Sequence, residues 1–198
     1  MSKNKTYTVK FRRKREKRTD YRKRIKYISS NKLRIVLRPY NKKIIIQAVE
    51  FKEDGDKILF TVDSTRLNKY GWKGSTSGIS AAYLTGLLFG HVSEGKIKEG
   101  VIDVGLHSIT KGTRLPAAIK GIVDSGINVP HSAEIFPKED VINGTVVSKY
   151  SAELKKSDLE KYKKQFPKYL KNGLNQEDLL KSFEEAKSKL LSSNGKKE

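Results

Sequence analysis

The spacing of apolar residues changes along this chain, and each spacing predicts an element. Residues 1–18 have few apolar positions and no period, which predicts an arm that orders only on a partner. Thr19 or Asp20 then offers a side-chain oxygen to the free amides of a helix. Within it Tyr21, Ile25 and Ile28 fall at i, i+4 and i+7, a narrow docking stripe, while Arg18, Arg22 and Lys26 line a different face. Over residues 33–38 the period drops to two. Leu33, Ile35 and Leu37 alternate with Arg34, Val36 and Arg38, so both arginines are expected on the outer face of a sheet. Turn residues at Pro39-Tyr40-Asn41-Lys42 and Glu53-Asp54-Gly55-Asp56 set off two further strands, 44–51 and 57–63, which completes an antiparallel meander.

Residues 76–92 are apolar nearly all round, the pattern of a buried crossover helix. Ala82, Gly86 and Gly90 form a small-residue row in it. Two helical glycines cost about 1 kcal/mol each against alanine, so close approach of this helix to the sheet is expected. A short strand at 101–106, a polar loop at 108–114, a helix from Pro116 to a stop at Gly126 and a strand at 127–129 read as a βαβ unit. The fold class is therefore α/β. It comprises a mixed sheet, from the three-strand meander plus the βαβ unit, flanked by helices, with a basic N-terminal arm and a helical C-terminal tail. The expected division is 1–30 for arm and helix, 31–148 for the α/β domain and 149–198 for a lysine-rich tail. Helices are expected in the tail at 158–166 and 176–191, separated by Pro167 and Gly173. Leu179, Leu180, Phe183 and Leu190 give the second an apolar edge that needs a neighbour.

Charge shifts this picture from fold to partner. The 198 residues carry 42 Lys and Arg against 22 acids, a formal +20. The stretch 10–26 alone holds eleven basic residues against Glu16 and Asp20, whereas 44–148 is nearly neutral. Eight of the ten arginines lie before residue 39. Arginine grips phosphate bidentately and stacks on bases, while lysine is a hydrated point charge, so this clustering points to a nucleic acid. RNA is favoured over DNA because no helix-turn-helix, zinc-finger or basic-zipper pattern is present. A membrane partner is not expected: the arm lacks a Trp/Phe/Leu face and no apolar run approaches the ~18 residues a span needs. The absence of cysteine and of an apolar leader fits a reducing compartment, the cytoplasm.

Catalytic signals are weak by comparison. The glycine loop 71–78 precedes a helix but lacks the order of a phosphate-binding GxxxxGK[ST] loop. Trp72, with Tyr70 and Lys73, reads there as a base-stacking surface or a packed corner. Asp63 and Asp103 near strand ends leave open a metal-dependent nuclease of ribonuclease-H-like architecture, yet no spacing gathers them into a metal cluster. His91, His107 and His131 are far apart, and no motif pairs them with a nucleophile. His107 with Lys111 and Arg114 reads as a loop facing RNA. A general basic RNA- or protein-binding module is the other open reading. No cofactor, metal or small-molecule substrate is expected.

Taken in order, RRKREKRTDYRKR, LRIVLRPYNKKIIIQ, YGWKGSTSGISAAYLTGLLFGH, VIDVGLHSITKGTRLPAAIKGIVDSG and VPHSAEIFP resemble the archaeal type of ribosomal protein L-eighteen over residues 8–147. The resemblance implies a non-enzymatic constituent of the large ribosomal subunit. It would bind 5S rRNA and anchor it to the large-subunit, 23S-type rRNA in the central protuberance, beside neighbouring ribosomal proteins. It also places RNA contact on Arg12, Arg13, Lys14, Arg15, Lys17, Arg18, Tyr21, Arg22 and Arg24 of the arm and helix. It adds Arg34, Arg38, Asn41, Lys42, Lys43 and Gln47 on the first two strands. Tyr70, Trp72 and Lys73, and His107, Lys111 and Arg114, complete the expected interface. Where the family commonly has Ser-Asn-Lys-His, this chain has Tyr40-Asn41-Lys42-Lys43, which keeps a cation but removes an imidazole.

Overall fold

The computed structural model describes residues 8–93, 95–171 and 178–192. Three strands, β1 (Arg34–Pro39), β2 (Ile44–Lys52) and β3 (Gly55–Asp63), form the expected meander. β1 pairs antiparallel with β2 from Arg34 opposite Val49 to Pro39 opposite Ile44. The turn between them closes where Tyr40 N donates to Lys43 O at 2.8 Å. β2 pairs antiparallel with β3, with an irregularity at Ala48/Val49. The chain then crosses over through α3 (Ile79–Ser93) to β4 (Val101–Asp103), which lies parallel to β1 and completes the order β3-β2-β1-β4. This is the mixed sheet the sequence implies, with one change. Ile127 and Val129 are buried, but in place of the expected strand at 127–129, residue 128 makes only an isolated parallel bridge to Glu99.

The period-two pattern of β1 sorts its side chains as expected: Ile35 and Leu37 point into the core with Ile44, Ile46 and Val62, all essentially inaccessible. Phe60 of β3 meets Phe89 of α3, with ring centroids 5.0 Å apart. α3 is the central helix, buried over most of its length. Its small-residue row serves a helix neighbour rather than the sheet, which corrects the expectation. A Cβ at Gly86 would overlap the carbonyl oxygen of Ala118, and one at Gly121 would overlap the carbonyl oxygen of Tyr83. Those two glycines let α3 and α4 (Arg114–Asp124) pack backbone to backbone.

Before the sheet, α1 (Arg12–Arg15) is a single turn and α2 (Tyr21–Ser29) a longer helix. Asp20 caps α2, its Oδ1 accepting from Arg22 N at 3.0 Å and Lys23 N at 3.2 Å. Residues 8–18, expected to order only on a partner, are folded back: the ring of Phe11 lies 5.2 Å from that of Tyr21, and Arg13 Nε donates to Thr19 Oγ1 at 2.8 Å. Residues 1–7 of the arm and Gly173 of the tail lie outside the described residues.

Beyond α4 come α5 (Glu139–Ile142), α6 (Thr145–Ser157), α7 (Leu159–Gln165), α8 (Pro167–Lys171) and α9 (Leu179–Ser192). The apolar edge of α9 has the neighbour it needs. Leu179, Phe183, Ala186 and Leu190 sit at i, i+4, i+7 and i+11, all are buried, and they pack into the central cluster beside α3. Among the described residues, no helix is long and apolar enough to cross a membrane.

Candidate nucleic-acid interface

α1, α2 and the outer face of the sheet enclose a cleft of about 760 Å3. Six cationic side chains line it (Arg13, Arg18, Lys23, Arg24, Arg34 and Arg38) against three carboxylates (Asp20, Asp56 and Asp103). Outside the cleft, Arg12, Lys14, Arg15, Lys17 and Arg22 are exposed and continue the basic surface. Glu16 is the acid among them, 3.8 Å from Arg12 Nε and 3.2 Å from Arg18 Nε, in pairs too open to fix either arginine.

α2 meets the sheet through a different stripe from the expected one. Tyr21, Arg24, Tyr27 and Ile28 turn inward, while Ile25 is 63% exposed. The reason is electrostatic. Arg24 clasps Asp56 at the start of β3 with two hydrogen bonds, Nη1 to Oδ2 at 2.9 Å and Nη2 to Oδ1 at 3.0 Å, and that clasp sets the rotation of the helix. Tyr27 follows it beneath the helix. Burial, then the nearby Asp103 and Asp20, raise its phenol above the ordinary tyrosine value.

Arg34 and Arg38 lie on the outer face, as their alternation requires, but at Arg34 that face is not open to solvent. Arg34 is 3% exposed, because α2 covers that end of the sheet. Its Nη2 lies 2.6 Å from Asp56 Oδ2 and its Nη1 3.5 Å from Asp103 Oδ2. A buried cation needs such partners, so Arg34 reads as the brace of the cleft rather than an outward phosphate hook. Arg38 is half-buried, with Nη1 donating to Asp103 O at 2.7 Å and Nη2 3.5 Å from Asp103 Oδ1. Asp103 in turn accepts from Gly105 N at 2.7 Å. Burial penalises the charge of Asp56, but hydrogen bonds from Arg24 and Arg34 outweigh that and hold its carboxyl below the usual value.

Other expected contact residues divide into three groups. Asn41, Lys42, Lys73, His107 and Lys111 are exposed, and His107 also borders the cleft. Lys43 and Gln47 are half-buried and partnered: Lys43 Nζ lies 2.6 Å from Asp63 Oδ2, and Gln47 Nε2 donates to Thr61 Oγ1 at 3.1 Å. Arg114 ties the fold together, donating to Tyr40 O at 3.2 Å and Ser77 O at 3.3 Å. The third group is internal. Trp72 is 3% exposed, edge-on to Phe183 at 6.5 Å, with Nε1 donating to Ser75 O at 3.2 Å, so it is a packed corner and not a stacking surface. Tyr70 packs partly against the same core.

Tyr27 and Lys23 belong to the cleft but were not expected there. The signal for Tyr27 was available: Tyr21, Arg24 and Tyr27 share a helical face at i, i+3 and i+6. The aspartates considered for metal chemistry are engaged by cations, Asp63 by Lys43 and Asp103 by Arg34 and Arg38. Among the described residues, no three His, Asp or Glu side chains gather into a metal-binding group.

Comparison with known proteins fits this geometry. The family described as "Ribosomal large subunit proteins 60S L5, and 50S L18" matches residues 5–99 and 91–132. The chain is also 46% identical to the large ribosomal subunit protein uL18 of Caldivirga maquilingensis over 194 residues, covering 97% of this chain and 94% of the relative. The chain belongs to this family. As a large-subunit ribosomal protein it presents its basic face from α1 and α2, while α9, beyond the span of the family match, completes its core.

Proposed function

We propose that this protein binds 5S rRNA and anchors it to the large-subunit rRNA in the central protuberance, as a non-enzymatic part of the subunit. The observation that carries the reading is the exposed arginine surface of α1 and α2, held at a fixed place on a nearly neutral domain by Asp20, the Phe11–Tyr21 contact and the Arg24–Asp56 clasp. Arm charge supplies attraction to phosphate, and the rigid mounting gives that attraction a shape to match. Recognition of folded RNA by shape and 2′-hydroxyl contacts needs that combination. Neighbouring ribosomal proteins of the protuberance are the other expected partners.

Binding to 5S rRNA, measured over a range of salt, tests this. Log K should fall with log salt at about 0.7 to 0.9 per phosphate contacted. Removal of residues 1–18 should flatten the line, and an unchanged slope would discard the arm's role. Equal affinity for an unrelated RNA of the same length would favour a general basic module instead.

A further inference from the structure

The cleft beneath α2 has features that phosphate neutralisation alone does not require. Its floor, the outer face of the sheet, sets the apolar Val36 and Val49 between Arg34, Arg38 and Gln47, and Tyr27 faces it from the helix. Its volume of about 760 Å3 falls within the roughly 300–1,000 Å3 of sites that take small organic ligands. The excess of cations favours an anion. A bare inorganic anion, however, would leave the half-buried ring of Tyr27 at the cleft without a partner to stack on.

Two polar groups on the floor also have hydrogen-bonding capacity unused among the described residues. Arg34 Nε is buried without an acceptor. Gln47, whose amide nitrogen is turned to Thr61, keeps its carbonyl oxygen as an acceptor. A planar ring that carries a phosphate satisfies both the ring of Tyr27 and the charge.

Building on the RNA-binding reading above, we propose that the cleft receives one unpaired nucleotide of the bound rRNA, turned out of its stack. Its base stacks on Tyr27 within reach of Gln47, and its phosphate lies among Arg38, Arg13 and Lys23. Gln47 Oε1 accepts from an exocyclic amino group, which selects adenine, cytosine or guanine over uracil. Extrusion of a base into a protein pocket, read by stacking and by hydrogen bonds to its edge, is an established mode of recognition.

The test is base-specific chemical modification of 5S rRNA bound to the full chain, with hydroxyl-radical cleavage as a parallel readout of backbone contacts. Wild type should shield an unpaired A, C or G. In Gln47→Ala and in Tyr27→Leu that base should regain its reactivity while the backbone protections made by α1 persist, which also shows that the variants are folded. Affinity of Tyr27→Leu should fall about 5- to 150-fold, the scale of one lost base–aromatic stack. Identical shielded bases in wild type and both variants, or wild-type protection of backbone alone, would overturn the proposal. If wild type shields large-subunit rRNA but not 5S rRNA, the 5S reading fails by itself. The same comparison on the large-subunit rRNA then decides the cleft: a base released by both variants supports it, and none released overturns it.

Discussion

Arg34 shows how much one residue's setting differs from its place in a pattern. Alternation along β1 puts it on the outer face, and it is there; what alternation cannot show is that α2 lies over that face. The covering follows from a long-range pair, Arg24 with Asp56, thirty-two residues apart, which no local period encodes. Asp56 joins Arg24 to Arg34, at 2.9 Å and 2.6 Å, and these bonds keep its carboxyl below the ordinary value despite the opposing effect of burial. A group whose folded pKa is depressed adds stability above its unfolded pKa and loses it as pH falls through the folded one. The melting-temperature gap between wild type and Asp56→Asn should therefore hold between about pH 5 and 7 and shrink below about pH 4. A gap that stayed constant to about pH 2 would show that the carboxylate's charge does not hold α2 in place.

Among elements, the α3–α4 contact is the most exacting. Gly86→Ala gains about 1 kcal/mol of helix propensity, but its Cβ would overlap the Ala118 carbonyl oxygen, part of a backbone with little freedom to retreat. A net loss of about 1–3 kcal/mol is expected, a fall in melting temperature of several degrees by calorimetry. An unchanged or higher melting temperature would show that the helices separate at no cost. The glycines at 86 and 90 announced a close approach, but only the folded chain reveals that the partner is another helix. Other elements were legible to the extent that one face is buried. β1 and α9 have a clear period because each presents one side to the core, whereas α3 has none because it is buried on nearly all sides, and its unbroken apolar run marks it instead. α6 was missed because Val146, Val147 and Tyr150 are exposed and only Ser151 is buried, so no stripe marks it. The interface was legible as charge, whereas its concavity, and with it Tyr27 and Lys23, depended on how α2 is rotated.

At the scale of the whole molecule, the basic surface works only if the domain beneath it is rigid, and the C-terminal segment contributes to that rigidity. Phe183 is 2% exposed and meets both Trp72 and Tyr83, at 6.5 Å and 5.9 Å. Phe183→Ala should cost about 3–5 kcal/mol and shift the emission of Trp72, the sole tryptophan, toward the red. Native-like emission and stability in that variant would return α9 to the status of a tail. On this support the arm can use the kind of its charge as well as the amount. Replacing Arg12, Arg13, Arg15 and Arg18 by lysine keeps every positive charge but removes the planar fork that grips phosphate bidentately. The salt slope counts neutralised phosphates, so it should stay nearly the same, while affinity for 5S rRNA falls at every salt concentration. If instead slope and affinity both match wild type, attraction by charge alone suffices, and the gathering of arginines before residue 39 has no role in recognition.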